Sequence, residues 1–177
     1  MDGPADHDLM AQTAHGDERA FRTLVRRHAS SAFALARRVL RNDARAEEIV
    51  QDAFLRVWIN APRWRPEAAF RTWLYRIVVN LCLNEKRRPA DLPLATAGDP
   101  ADAAPDAGAS LEARERDSRL SAAIDALPAR QRAAIVLTYQ EGLSNADVAA
   151  VLDTSVSSVE TLLVRARRTL RAALGTD

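Results

Sequence analysis

The sequence predicts an all-α protein made of two small helical domains joined by an acidic flexible linker, the second domain containing a helix-turn-helix. Three observations predict it. Ala, Leu and Arg dominate, while aromatic residues make up only 5% of the chain and glycines number six, a balance that favours helix over sheet. Apolar residues recur at helical spacing, as in Phe70, Leu74, Ile77, Val78 and Leu81. One stretch breaks that pattern: PADLPLATAGDPADAAPDAGAS, residues 89–110, holds four of the eight prolines, two glycines, four Asp and no Lys or Arg. It reads as an extended tether. It divides 177 residues, enough for one ordinary domain or two small ones, into modules of about 5–88 and 111–175.

The first module reads as four helices. The first spans about 6–14 and stops at His15-Gly16. Asp17 is an N-cap candidate for a helix to about Leu40. Residues 41–43 form a turn in which Asp43 caps the next helix, 44–60, ended by Ala61-Pro62. After a loop at 63–66, a long helix runs from about Glu67 to Arg88, with Pro89 stopping it. The second module begins with a helix at about 111–126. Pro128 opens another, to about Gln140, with Gly142 as the stop. Ser144 caps a short helix to about Leu152, Asp153-Thr154-Ser155 make a turn, and a last helix runs from about Val156 to Ala173.

Net charge is only +1, but it is unevenly placed. Residues 1–88 carry sixteen basic and eleven acidic groups, the linker carries four Asp, and residues 111–177 carry nine of each sign. The run from Thr161 to Leu174 has four Arg and no acid. Local basic surfaces in a nearly neutral chain fit contact with a polyanion at defined places, and also fit solvated helix faces. Cys82 is the only cysteine, which excludes an intrachain disulfide. His7, His15 and His28 lack metal-ligand spacing, and no phosphate loop, Ser-His-Asp set or carboxylate pair stands out, so neither cofactor, metal nor enzyme activity is expected. MDGPADHDLM has no apolar signal region, and no run of about 18 apolar residues offers a membrane span. The expected compartment is the cytoplasm, without direct membrane insertion.

Two surfaces carry chemistry. On the helix at 67–88, Thr72, Arg76 and Asn80 lie at i, i+4, i+8 opposite the apolar stripe, flanked by Trp73 and Tyr75 and followed by Lys86, Arg87 and Arg88. The preceding loop adds Arg63, Trp64 and Arg65. Aromatic faces and arginines together suit unpaired bases, since stacking is worth roughly 1–3 kcal/mol per base, and Asn80 can pair with the edge of a base swung out of the stack. Trp73 lies near the core stripe and reads as structural. In the second module, LSNADVAAVLDTSVSSVETLLVRARRTL has helix-turn-helix spacing. Val159, Leu162, Leu163, Ala166 and Leu170 form its core stripe. Ser157, Ser158, Glu160, Thr161, Val164, Arg165 and Arg168 face away from it, short polar groups first and arginines behind, as suits a helix in a major groove. A third surface is ambiguous. The helix at 44–60 sets Ile49, Ala53 and Val57 beside Val50, Phe54 and Trp58, with Glu47, Glu48, Gln51, Asp52 and Arg56 on the rest; periodicity does not choose between a solvated face and an acidic docking surface.

AEEIVQDAFLRVW, FRTWLYRIVVNL running into KRRP, the acidic linker, LPARQRAAIVL, and GLSNADVAAVL followed by SSVETLLVRARRTLRAAL together resemble the bacterial extracytoplasmic-function (ECF) sigma factors of the sigma-70 family. The resemblance implies that 5–88 is region 2 and 111–175 is region 4. It implies that Glu47, Glu48, Gln51, Asp52, Leu55 and Trp58 dock on the β′ clamp helices of core RNA polymerase. Arg63, Trp64, Arg65, Thr72, Arg76, Asn80 and Arg87 would open and read the −10 element of promoter DNA, with Asn80 the base-contacting asparagine and Trp64 in the loop of the flipped-base pocket. The second module would read the −35 element and touch the β flap. An anti-sigma factor is the implied regulator, and the four Asp of the linker become an RNA mimic in the polymerase channel. One departure stands out: many members have a basic residue and then Ser where this chain has Glu160-Thr161, and Arg where it has Leu162, which implies a different −35 preference. The alternative is a stand-alone helix-turn-helix transcriptional regulator, which leaves the first module without a role.

Overall fold

The computed structural model describes residues 5–85 and 111–175; the acidic linker and the Lys86-Arg87-Arg88 end of the basic helix lie outside them. Among the described residues the chain is helical throughout, in the order α1 (Asp6–Ala14), α2 (Glu18–Leu40), α3 (Asp43–Asn60), α4 (Phe70–Glu85), α5 (Leu111–Asp125), α6 (Ala129–Ile135), α7 (Asn145–Leu152) and α8 (Val156–Leu174).

Local chemistry sets most of these limits. Asp17 accepts from the backbone N–H of Arg19 (2.7 Å) and Ala20 (3.1 Å), so α2 begins where an N-cap is available. It ends at Arg41, which turns left-handed at φ 60°. The next cap is Asn42, not Asp43: Asn42 is extended at φ −150° and its side chain accepts from Arg45 N–H at 3.0 Å, while Asp43 already lies in the first turn, where its charge suits the helix dipole. α4 begins at Phe70, three residues later than its sequence suggests, because the chain around Pro66 turns before it can coil. A single 3₁₀ turn, Ala61–Arg63, with Pro62 at its start, leads into that loop. In the second module α6 does not run smoothly to Gln140 but loosens into a π-helical turn at Val136–Gln140, and Gly142, at φ 67°, then reverses the chain. Ser144 and Ser155 cap α7 and α8.

α2, α3 and α4 pack on one another around Leu24, Leu35, Val39, Ile49, Phe54, Val57, Leu74 and Val78, with α1 fastened to the middle of α2 through Asp6, which accepts from Arg27 (2.9 Å) and meets His28 Nε2 at 2.7 Å. α6, α7 and α8 enclose Ala133, Leu137, Val148, Val151, Leu152, Val159 and Leu163. The two cores are continuous: α7 packs against α4 and α6 against α2. That contact accounts for a reversal of the expected α4 face. Thr72 is only 7% exposed and Tyr75 is wholly buried, although helical spacing puts both on the side away from the Phe70–Leu81 stripe.

Candidate nucleic-acid interface

A cleft of about 530 Å³ opens beside α4. Its walls bring together Arg63, Trp64, Arg65, Thr72, Arg76 and Asn80. Thus six of the residues that the sequence assigns to single-strand contact share one surface, although they come from a loop and a helix. Arg87, the seventh, lies outside the described residues. Arg56, Asn60 and Trp73 also line the cleft. Arg56 and Asn60 were missed by sequence reasoning. Their signal was there: they fall at i, i+4 on α3 in line with the loop that follows, and Asn60 Nδ2 donates to Arg56 O at 2.8 Å.

Trp64 is held in place by an aromatic relay. Its ring lies 6.3 Å from that of Trp73, which lies 6.1 Å from Phe70, which in turn lies 5.0 Å from the His28 ring. Such tilted pairs add about 0.5–1.5 kcal/mol beyond area burial. Trp73 therefore has the structural place its spacing suggested, and Trp64, half-buried, presents its remaining surface to the cleft. Four guanidinium groups, Arg56, Arg63, Arg65 and Arg76, share the lining with two indoles, Trp64 and Trp73, and two amides, Asn60 and Asn80. That set can neutralise phosphates, stack a base and read an exposed edge. Thr72 contributes from the buried floor instead of from an exposed strip.

On the outer side of the first module, α2 and α3 leave an apolar groove of about 750 Å³. Gln51, Leu55 and Trp58 line it, with Phe21, Val25 and Phe54. The Phe21 and Trp58 rings meet edge-on at 5.1 Å. Leu55 is 54% exposed, unusual for a large aliphatic side chain on a well-packed helix. Glu47, Glu48 and Asp52 lie exposed on the same helix without lining the groove; Glu48 accepts from Arg45 at 2.6 Å and Asp52 pairs with Arg56 at 3.6 Å.

In the second module α8 divides cleanly. Val159, Leu163 and Ala166 are buried, while Ser157, Glu160, Thr161, Val164, Arg165 and Arg168 are exposed and Ser158 is half-buried. Leu162 is half-buried and packs on the core, so its departure from arginine adds apolar contact as well as removing a charge. Ser155 accepts from Ser158 N–H at 3.2 Å and lies within hydrogen-bond reach of the Ser157 and Ser158 hydroxyls. The Thr161 hydroxyl donates to Ser157 O at 3.0 Å. No group of three His, Cys, Asp or Glu among the described residues is placed to hold a metal ion, and no described helix is long and apolar enough to cross a membrane.

The family models for Sigma-70 region 2 and Sigma-70 region 4 match residues 24–91 and 117–170. The chain is 37% identical to the ECF RNA polymerase sigma factor SigM of Mycobacterium tuberculosis over 97% of its own length and 85% of that protein. It is 34% identical to the RNA polymerase sigma factor CnrH of Cupriavidus metallidurans over 98% of its length and 96% of CnrH. The solved structure of CnrH in complex with the cytosolic domain of CnrY superimposes with a TM-score of 0.72 at 32% identity, covering 98% of this chain and 99% of that one. A stand-alone regulator would leave the region 2 match without a purpose. With both regions in order on one all-α chain, the protein belongs to the ECF sigma factors of RNA polymerase.

Proposed function

We propose that residues 5–88 dock on core RNA polymerase and open the −10 element, that 111–175 read the −35 element as duplex and touch the β flap, and that 89–110 connect them through the polymerase. The observation that carries this reading is the convergence of Arg63, Trp64, Arg65, Thr72, Arg76 and Asn80 on one cleft. A single strand needs phosphate neutralisation, a stacking face and an edge-reading group within a few ångströms of one another, and this cleft holds all three. Leu55 and Trp58 supply the apolar centre of the polymerase contact, with Gln51 beside them and Glu47, Glu48 and Asp52 as its acidic rim. The face of α8 reads the −35 duplex, with Arg165 and Arg168 positioned for phosphate or guanine and Val164 for the thymine methyl.

The chain acts in the cytoplasm without its own catalytic chemistry, and an anti-sigma factor regulates it. Support for the latter is the relationship to CnrH, solved with the cytosolic domain of CnrY. In vitro transcription with core polymerase on a promoter library tests the whole reading: template-specific, sigma-dependent initiation is expected, and autonomous tight binding to duplex promoters without polymerase would contradict it. Glu160→Lys should move the preferred −35 sequence while core binding stays unchanged. An unaltered preference would remove Glu160 from the base-reading set.

A further inference from the structure

The loop that carries Trp64 and Arg65 is gripped at both ends by one element, the N-terminal helix α1. At its entry, α1 lies against the 3₁₀ turn Ala61–Arg63. Ala61 in that turn is buried, and its carbonyl accepts from Trp64 N–H at 3.2 Å. At its exit stands Phe70, also buried, whose ring lies 5.0 Å from that of His28. His28 is in turn held from α1. Its Nε2 meets Asp6 Oδ2 at 2.7 Å, while the other Asp6 oxygen accepts from Arg27 Nη1 at 2.9 Å. The His28 side chain is only 13% exposed.

The second torsion of a histidine side chain is broad, so packing alone leaves the ring plane loosely set. A carboxylate at Nε2 makes that nitrogen the donor and fixes the plane. Asp6 is itself fixed, because Arg27 claims its second oxygen. The His28 plane then meets Phe70 at 60°, Phe70 meets Trp73 at 53°, and Trp73 meets Trp64 at 58°. Tilted rings prefer such angles, since a positive ring edge seeks a neighbouring negative face, so each plane constrains the next. Only the last two rings of the series line the cleft; His28 and Phe70 stand behind it. A base stacks on Trp64 only when the indole plane is presented within a narrow range of angles, and that range is set by what supports the indole from behind.

We propose that His28, oriented by Asp6, is a positioning residue for base capture: through Phe70 and Trp73 it sets the plane that Trp64 offers to an unpaired base. The proposal rests on reading the cleft beside α4 as the site of the −10 strand. No residue of α1 lines that cleft, yet the helix takes part in promoter opening. Its two tasks fall on different residues. Leu9 and Met10 are buried and anchor it in the core, while Asp6, the first residue of the helix, orients the ring series.

The test separates orientation from support. In proton–nitrogen correlation spectra of the full chain, the Trp64 indole signal, identified by its absence from Trp64→Ala, should move in both Asp6→Ala and His28→Gln. His28→Gln keeps a side-chain donor for Asp6 but has no ring to pass on, so the α1 signals should stay close to those of wild type while the indole moves. Holoenzyme formed with core polymerase should bind a single-stranded −10 oligonucleotide about fivefold more weakly with either variant, the worth of one tilted ring pair, at unchanged affinity for the core. If Asp6→Ala lowers the melting temperature but leaves the Trp64 signal and oligonucleotide binding as in wild type, α1 is a brace alone and the proposal falls. An unmoved Trp64 signal in His28→Gln overturns it as well, and so does weaker binding confined to Trp64→Ala. If circular dichroism shows that Asp6→Ala does not fold, His28→Gln decides alone. A displaced Trp64 signal with oligonucleotide binding intact in both variants and in Trp64→Ala upholds the coupling and overturns the assignment of the cleft to the −10 strand.

Discussion

The two helices proposed to contact the promoter are built differently. α8 has nineteen residues, of which Val159, Leu163 and Ala166 are buried, and it leans on its module by one stripe. α4 has sixteen, and eight are buried, on both sides of the helix: Phe70, Leu74, Val78 and Leu81 toward α2 and α3, and Thr72, Tyr75, Val79 and Cys82 beside them. A helix that enters a major groove must protrude, because the groove has to close around its exposed face. A helix that holds a displaced base must be framed, because a cleft needs walls that do not yield. α4 therefore packs on several neighbours, one of which, α7, comes from the other module. The consequence is an asymmetry in access: the polar face of α8 is exposed, whereas the cleft beside α4 is walled in part by Ala150 of α7.

The largest way to break this comparison is at the joint. Arg132 donates to Ile124, Asp125 and Leu127 at the end of α5 and to Val39 across the modules. Burial lowers its pKa while Asp125 opposes the shift. Arg132→Leu keeps the volume but leaves those buried carbonyls unpaired, and should cost about 3 kcal/mol. Urea denaturation of the full chain followed by circular dichroism measures it. A loss below half that figure would mean that the carbonyls find water and that the joint is looser than its geometry.

Next is the cleft itself. Asn80→Ala should weaken −10 engagement by about 2 kcal/mol, roughly thirtyfold, seen as lost permanganate reactivity of melted promoter thymines, with core polymerase binding unchanged. If polymerase binding falls in parallel, α4 is a structural member and the two helices are less distinct in function than in packing.

The residues that sequence reasoning placed well are those whose environment is local. The caps Asp17 and Ser144 sit within three residues of the N–H groups they satisfy, and the stripe of α8 repeats at its own period; Ser155, read only as part of a turn, proves to cap α8. Asn42 and Asp43 are both good caps, so the backbone alone decided between them. Tyr75 was out of reach in principle. It stands on the polar side of α4 by spacing, and it is buried because Glu141 meets it from 66 positions away. Arg56 and Asn60 lay within reach, but α3 was weighed only as a solvated face or an acidic docking surface, and its side toward the following loop went unused. The cleft was legible as a composition, Trp and Asn among arginines, but not as an enclosure, since its walls come from α3, a loop, α4 and α7.

Tyr75→Phe tests the buried side of α4 more gently. Removing one hydroxyl that donates to a carboxylate should cost about 1.5 kcal/mol. Its pH signature is distinctive. Burial, aided by the Glu141 carboxylate, raises the Tyr75 phenol above its ordinary value. A raised folded-state pKa means that the stabilisation is fully present below about pH 10, the unfolded phenol's range, and is lost as pH rises through the folded value. Wild type should therefore lose stability in alkali more steeply than Tyr75→Phe. Parallel profiles would show that the hydroxyl is not held by the second module.

The smallest effect belongs to the exposed helix. Ser155→Ala removes the acceptor for Ser158 N–H at the start of α8, and should cost about 1 kcal/mol. Ser155 also lies against the hydroxyls of Ser157 and Ser158, at 3.0 and 2.8 Å, so the same change frees two side chains on the face proposed to meet the −35 element. If α8 recognises DNA as a preformed surface, the variant should lose −35 affinity as well as stability, because the first turn must then be ordered on binding. Ser155→Asp restores an N-cap acceptor with charge that suits the helix dipole, so it should recover the stability but repel phosphate at the groove. Recovery of both properties would show that α8 meets the duplex away from its first turn, with Arg165 and Arg168 leading the contact.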